Sequence, residues 1–218
     1  MRDVYVATHT EAEHHTAGLV GGWFDSELTA RGREQADLVA AEIRRSVPPG
    51  ETCRVYSSDL RRALQTAQPI ATALGTDVVE MPGLRELSYG AAEGRPQAWL
   101  DERFTPAPPD HRLDHDSGIE GAETKRHFAT RIREAVEAIL AEDVRHQVIV
   151  THGFALTFVV MAWARVPVDA VGWVDLRSTS GGISHLTEDD FFQNRGVRSL
   201  DRTAHLDLSP EPDRTIRP

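Results

Sequence analysis

Two short apolar runs rich in Val or Ile, far apart in the sequence, each end in the dipeptide Thr-His. The first lies within residues 4–9 and the second within residues 148–153. Runs of this length are typical of buried strands. Ligands of open α/β sheets bind just beyond the carboxyl ends of the strands. The sequence therefore predicts two buried strands whose closing histidines, His9 and His152, face each other across one site if the strands are neighbours.

Strand and helix patterns alternate along most of the chain. Further strands are predicted at 53–56 and 77–80, and around Trp173, Ile183 and Val197. Apolar residues at helical spacing follow a candidate cap at Thr29 and recur over 60–74, 123–141 and 154–164. Such alternation favours helices on both faces of a mostly parallel sheet. We expect an α/β fold, built as a three-layer α/β/α sandwich with a mostly parallel central sheet.

The length of 218 residues favours one domain that is large enough to bury a core. We expect this domain to span residues 1–208, followed by a flexible tail at 209–218. Within the domain, residues 95–120 are irregular and contain four prolines and several acidic side chains. Long irregular segments of compact domains often serve as lids or binding loops. This segment is predicted to cap the pocket, and its acids are expected to disfavour polyanionic substrates.

Charge and cysteine content narrow the classes of function and partner. The formal net charge of −10 argues against a nucleic-acid partner, which requires a positively charged face. The single cysteine, Cys53, leaves no internal disulfide framework and fits a reducing compartment. No apolar run reaches the length of a membrane span. We therefore expect a cytoplasmic protein that acts on a small molecule without a nucleic-acid or membrane partner, and a homodimer is left open.

Five motifs, in a fixed order, resemble those of the histidine phosphatase superfamily, also called the phosphoglycerate mutase-like fold. They occupy residues 22–29, 57–67, 84–94, 121–123 and 151–153. The resemblance extends over nearly all of the chain, from residue 3 to residue 206. It implies that the three-layer sandwich has the phosphoglycerate mutase-like arrangement.

The resemblance also implies a role for each of four side chains. His9 would attack phosphorus and form a phosphohistidine, which divides the displacement into two steps. His152 would donate to the phosphoryl oxygens, and Arg62 would bind them through its guanidinium group. Glu86 would protonate the leaving oxygen and later accept a proton from the attacking water. This scheme requires no cofactor and no metal ion.

The first motif departs from the family pattern, which is Arg-His-Gly. Thr8 and Thr10 flank His9 here, so one of the two arginines expected on the phosphoryl group is missing. A further family arginine corresponds to Leu19, and His15 stands at the family's asparagine position. Because bidentate arginine–phosphate contacts are strong, their loss is expected to weaken transition-state binding.

Two compensations for the missing arginine are open. His14 or His15, if protonated near neutral pH, would donate to the phosphate in its place. Alternatively, one transition metal ion would be held by four imidazole groups, those of His9, His14, His15 and His152.

We predict a phosphoric monoester hydrolase of the histidine phosphatase type that acts on a small phosphorylated metabolite through a phosphohistidine on His9. The alternatives are a histidine-ligated, metal-dependent enzyme on the same fold and a non-catalytic small-molecule binding protein. The residues predicted to be catalytic are His9, Glu86 and His152. The residues predicted to bind substrate are Arg62, Thr8, Thr10, His14, His15 and Gly153. Glu123 is expected to support the fold, and Arg131 is expected to be exposed on its helix.

Overall fold

The computed structural model describes residues 1–206 and contains one six-stranded sheet. Its strands are β1 (Arg2–Thr8), β2 (Cys53–Ser57), β3 (Val78–Glu80), β4 (His146–Thr151), β5 (Ile183–Glu188) and β6 (Arg195–Arg202). They lie in the order β3-β2-β4-β1-β5-β6. Strands β1 to β4 pair in parallel, whereas β5 pairs antiparallel with both β1 and β6. The mostly parallel sheet predicted from the sequence is confirmed.

Helices cover both faces of this sheet. They are α1 (Glu13–Thr16), α2 (Ala30–Ser46), α3 (Arg61–Leu74), α4 (Gln97–Asp101), α5 (Lys125–Ala141) and α6 (Gly153–Trp163). Thr29 caps α2 as predicted, because its Oγ1 accepts a hydrogen bond from the Gly32 N–H at 2.9 Å. Over residues 1–206, none of the helices is both long and apolar enough to cross a membrane.

Successive side chains of β1 point to opposite faces of the sheet and enter two different cores. Val4 and Val6 pack in the core formed with α5 and α6. Tyr5 and Ala7 pack in the core formed with α2 and α3. None of these four residues is more than 5% exposed. Two cores on one central sheet give the expected three-layer α/β/α sandwich.

The strand predicted around Trp173 is wrong, whereas those around Ile183 and Val197 are confirmed as β5 and β6. Trp173 lies in a turn and is 72% exposed. Its ring contacts the guanidinium group of Arg112, which lies 4.0 Å from the ring centre. Val171 packs in the core, whereas the neighbouring Trp173 faces solvent, so this stretch lacks the buried face that a strand of the sheet requires.

The irregular segment at 95–120 begins with α4 and continues without further regular structure. Leu100 and Ile119 from this segment pack in a small apolar cluster with Val20, which lies in the loop between α1 and α2 (residues 17–29). The segment is therefore anchored to the loop that follows α1, and its role as a cap stays a prediction. The tail predicted at 209–218 lies outside the described residues.

Candidate active site

Parallel pairing of β1 with β4 brings the two Thr-His turns together. Thr8 lies opposite Thr151 in the register of the two strands, so the histidines that follow leave the sheet side by side. The ring centres of His9 and His152 are 5.1 Å apart, with one ring edge toward the face of the other. Both side chains are buried. The structure therefore brings the two predicted catalytic histidines into one site.

The surroundings of His9 leave one ring nitrogen available for reaction. Its Nδ1 lies 2.8 Å from the carbonyl oxygen of Thr10, which can only accept, so Nδ1 carries the proton. Its Nε2 accepts a hydrogen bond from the Nε–H of Arg62 at 3.2 Å. Burial, followed by the charge of Arg62, lowers the pKa of His9 well below its ordinary value. His9 is therefore a neutral imidazole with its Nε2 lone pair directed at Arg62.

Arg62 is a buried cation that the backbone of the loop between α1 and α2 holds in place. It lies in the first turn of α3 and is 1% exposed. Its Nη1 donates to the carbonyl of Phe24 at 2.7 Å, and its Nη2 donates to the carbonyl of Gly22 at 2.6 Å. Gly22 has a φ of 56°, a left-handed conformation that favours glycine. Burial lowers the pKa of Arg62 to about 10, which leaves the group charged at neutral pH.

His152 is fixed through one ring nitrogen and leaves the other unpaired. Its Nε2 lies 2.8 Å from the Oγ of Ser58. Its Nδ1 is buried and has no hydrogen-bond partner among the described residues. Burial, followed by the charges of Arg62 and His9, lowers the pKa of His152 well below its ordinary value. An unpaired buried nitrogen costs free energy on the order of 1–3 kcal/mol, and binding of a ligand would offset that cost.

Glu86 places its carboxyl group at the start of α6, the helix that follows His152. Its Oε1 accepts from the Leu87 N–H and its Oε2 accepts from the Phe154 N–H, both at 2.9 Å. Gly153 is next to this carboxyl, because a Cβ at Gly153 would lie 4.0 Å from the Glu86 Oε2. Burial raises the pKa of Glu86, and this effect outweighs the two backbone hydrogen bonds and the charges of Arg62 and Arg131. A carboxyl with a raised pKa is suited to proton transfer.

Arg131 holds the backbone of the segment that carries Glu86. The prediction that Arg131 is exposed is wrong, because its side chain is only 12% exposed. Its guanidinium group forms a bidentate pair with Glu123, with distances of 2.7 Å to Oε1 and 2.8 Å to Oε2. The same group donates to the carbonyls of Gly83, Arg85 and Glu86. Glu123 thus supports the fold as expected, and α5 fixes the position of the Glu86 backbone.

The hydroxyl groups of the two threonines that flank His9 are already used by backbone carbonyls. The Oγ1 of Thr8 donates to the carbonyl of Thr179 at 2.6 Å, and the Oγ1 of Thr10 donates to the carbonyl of Gly32 at 2.6 Å. Both residues are buried. They hold the turn after β1, and their predicted contact with substrate stays a prediction.

His14 and His15 belong to α1 and lie beside His9. The ring centres of His14 and His15 are 4.1 Å apart, and those of His15 and His9 are 5.3 Å apart. Burial is the main cause of a lowered pKa in both residues. The pKa of His14 falls to about 3, and that of His15 is also lowered. Both rings are therefore neutral near pH 7. This disfavours a protonated substitute for arginine in the ligand-free protein, and the predicted contacts of His14 and His15 with substrate stay predictions.

Two other residues, Ser58 and Gly21, shape the site and were not predicted from the sequence. The Oγ of Ser58 forms a hydrogen bond with His152. Ser58 lies within the second motif, at 57–67, and its place in that motif could have indicated a role in the site. Gly21 allows the loop to approach His14, since a Cβ there would lie 2.9 Å from the His14 Nε2. Such a close approach depends on the folded loop, so the sequence alone gives no signal for it.

Comparison with known proteins identifies relatives over most of the chain. The sequence profile of the histidine phosphatase superfamily (branch 1) matches residues 4–195. The chain is 35% identical over 186 residues to a probable phosphoglycerate mutase of Serratia proteamaculans, covering 83% of each protein. It is 33% identical over 215 residues to the probable phosphoglycerate mutase of Yersinia enterocolitica, covering 95% of this chain and 96% of that protein.

Solved structures with the same fold include two phosphatases. A mycobacterial glucosyl-3-phosphoglycerate phosphatase superposes with a TM-score of 0.76 at 24% identity. The superposition covers 93% of this chain and 100% of the other. A phosphoserine phosphatase of Entamoeba histolytica superposes with a TM-score of 0.72 at 22% identity, covering 94% of this chain and 100% of the other. At this level of identity, the two structures support the fold.

Proposed function

This chain belongs to the histidine phosphatase superfamily, and within that family we propose that it hydrolyses a small phosphorylated metabolite through a phosphohistidine on His9. The observation that carries the proposal is the state of His9. Its Nδ1 is fixed by the Thr10 carbonyl at 2.8 Å, so the neutral ring presents its Nε2 lone pair beside Arg62 and His152. A fixed tautomer with an unprotonated Nε2 is what a histidine nucleophile requires.

In the first step, the Nε2 of His9 forms a bond to phosphorus while the bond between phosphorus and the leaving oxygen breaks. The Nε–H of Arg62, which reaches the His9 Nε2 at 3.2 Å, turns to a phosphoryl oxygen when substrate is bound. Positive charge and N–H donors aimed at developing negative charge stabilise such a transition state. Glu86 gives its proton to the leaving oxygen, so the leaving group departs as an alcohol and Glu86 becomes a carboxylate.

In the second step, a water molecule attacks the phosphohistidine, and the bond between phosphorus and the His9 Nε2 breaks. Glu86 accepts one proton of that water. The products are inorganic phosphate and the regenerated enzyme, with a neutral His9 and a protonated Glu86. The raised pKa of Glu86, caused by burial, suits a group that gives and then regains one proton.

A hydrolase is favoured over a mutase by the weakness of the anion site. A mutase must keep its phosphoenzyme intact and return the phosphoryl group to a bound product, which requires tight binding of phosphate oxygens. Among the described residues, Arg62 is the one arginine that bonds to either catalytic histidine. The neighbouring His14 is neutral near pH 7 because burial lowers its pKa to about 3. A phosphoryl group held by few cations is more readily lost to water.

Phosphate release tests this proposal directly. We expect the wild-type protein, assayed with a chelator present, to release inorganic phosphate from at least one member of a panel of phosphorylated metabolites. The panel includes an aryl phosphate, whose leaving group departs without a proton. Boiled protein serves as the blank. Release no faster than the blank from every member, the aryl phosphate included, would contradict a hydrolase and favour the binding protein.

The pH dependence of hydrolysis reports on Glu86. As the general acid, Glu86 must be protonated for the first step, so kcat/KM for an alkyl phosphate should fall as pH rises through its raised pKa. The leaving group of an aryl phosphate does not need this proton. The phosphate group of the aryl substrate ionises much as that of the alkyl substrate does, so ionisation of the substrate affects both pH profiles alike. We therefore expect the fall to be steeper for the alkyl phosphate than for the aryl phosphate. Superimposable profiles for the two substrates would remove Glu86 from this role.

A further inference from the structure

A cluster of three imidazole rings stands where the first family motif is altered. One ring nitrogen from each of His9, His14 and His15 lies within 4.8 Å of the other two. We propose that these three side chains bind one divalent transition metal ion, such as Zn²⁺. Binding of the ion does not depend on the proposed function, although its effect on activity does. His152, the fourth histidine of the predicted metal set, lies outside this group.

Two of the three rings are already oriented as metal ligands usually are. Metal-binding histidines commonly donate their second ring N–H to a carbonyl, carboxylate or water, which fixes the tautomer and the ring. The Nδ1 of His9 lies 2.8 Å from the Thr10 carbonyl oxygen, and the Nδ1 of His14 lies 2.7 Å from the Oγ of Ser26. The carbonyl can only accept, so Nε2 of His9 carries the lone pair, and His14 presents its own Nε2 lone pair when its Nδ1–H donates to the Ser26 hydroxyl.

His15 completes the set after a small adjustment. Its Nδ1 accepts a long hydrogen bond of 3.3 Å from the Ala12 N–H, and its side chain is exposed. Loss of this single bond would allow the ring to take the other tautomer and bind through Nε2. Zn–N bonds of about 2.0–2.1 Å in a tetrahedron place ligand nitrogens about 3.3 Å apart, so nitrogens that now lie within 4.8 Å of one another would move closer together on binding.

The position of the cluster predicts inhibition. The Nε2 of His9 cannot bind a metal ion and attack phosphorus at the same time. The ion would also displace the Nε–H of Arg62, which now lies 3.2 Å from that nitrogen. Three protein ligands leave the fourth position of a tetrahedral ion open, and the adjacent guanidinium charge favours an anion there. The metal-bound and phosphatase-competent forms therefore exclude each other.

Metal titration of chelator-treated protein tests the site. We expect calorimetry with Zn²⁺ to give one saturable site per chain, and Co²⁺ to give a visible absorption band at the same stoichiometry. His14→Ala and His15→Ala should each weaken Zn²⁺ binding by at least about tenfold, since each removes one of three ligands. His15 is exposed, so its variant keeps the fold even if the variant at buried His14 does not.

His127→Ala serves as the matched control, because its side chain is 71% exposed and lies on α5, outside the cluster. The control should bind Zn²⁺ as the wild type does. Absence of a saturable site in the wild type, or equal affinity in His15→Ala and His127→Ala, would overturn the metal site. The test of the metal site and the test of the proposed function can fail independently of each other. Hydrolysis in chelator by a protein that shows no saturable Zn²⁺ site overturns the metal site alone, whereas a saturable Zn²⁺ site on a protein that hydrolyses nothing in chelator overturns the phosphatase alone.

Discussion

Substitution of His9 by alanine is expected to lower phosphate release by about four orders of magnitude or more, because loss of a nucleophile removes the covalent route altogether. In wild-type protein quenched during turnover, we expect a phosphoenzyme that is labile to acid and stable to base, the behaviour of a phosphohistidine. His9→Ala should form none. The measurement pairs phosphate release with trapping of labelled phosphoenzyme from the same substrate.

Two further variants show whether the loss comes from the nucleophile itself. His127→Ala, an exposed histidine on α5, should retain wild-type activity and the same phosphoenzyme. Glu86→Gln should still form the phosphoenzyme from an aryl phosphate, since that leaving group needs no proton, but should release phosphate from it slowly. A His9→Ala protein that still forms the trapped species would place the nucleophile on another residue. Turnover without any trapped species would exclude covalent catalysis.

The pairing of His9 with His152 could be predicted because its signal is local. Each histidine ends an apolar run, and parallel strands align their carboxyl ends at one edge of the sheet. The position of Glu86 followed from motif order, and the structure places its carboxyl beside Gly153. These features depend on short segments whose conformation is set by neighbours in sequence.

The role of Arg131 could not be predicted because the carbonyls that it binds are distant in sequence. Its guanidinium group reaches the carbonyls of Gly83 and Glu86, which lie 48 and 45 residues earlier in the chain. No helical spacing encodes such contacts. The charge state of His14 was likewise out of reach, since its pKa falls to about 3 through burial that depends on the folded loop.

Loss of the Arg131 side chain should produce the largest change in stability. Arg131→Ala would leave the Glu123 carboxylate, whose side chain is 3% exposed, without its bidentate partner. Breaking a buried ion pair by removing one member costs about 3–5 kcal/mol. We therefore expect the free energy of unfolding in urea to fall by about that amount. The charge of Arg131 also lowers the pKa of Glu86, so the alkaline fall in alkyl phosphate hydrolysis should move to higher pH.

Arg126→Ala is the matched control, because Arg126 lies on the same helix and also pairs with two carboxylates. Its guanidinium group reaches Asp114 and Asp169, each at 2.5 Å, but its side chain is 41% exposed. Exposed ion pairs contribute only about 0.2–1 kcal/mol, so this variant should unfold close to the wild type and keep its pH profile. Equal destabilisation by the two substitutions would mean that the loss of unfolding free energy in Arg131→Ala does not come from the burial of Glu123. A pH profile unchanged in Arg131→Ala would mean that α5 supports the fold without acting on Glu86.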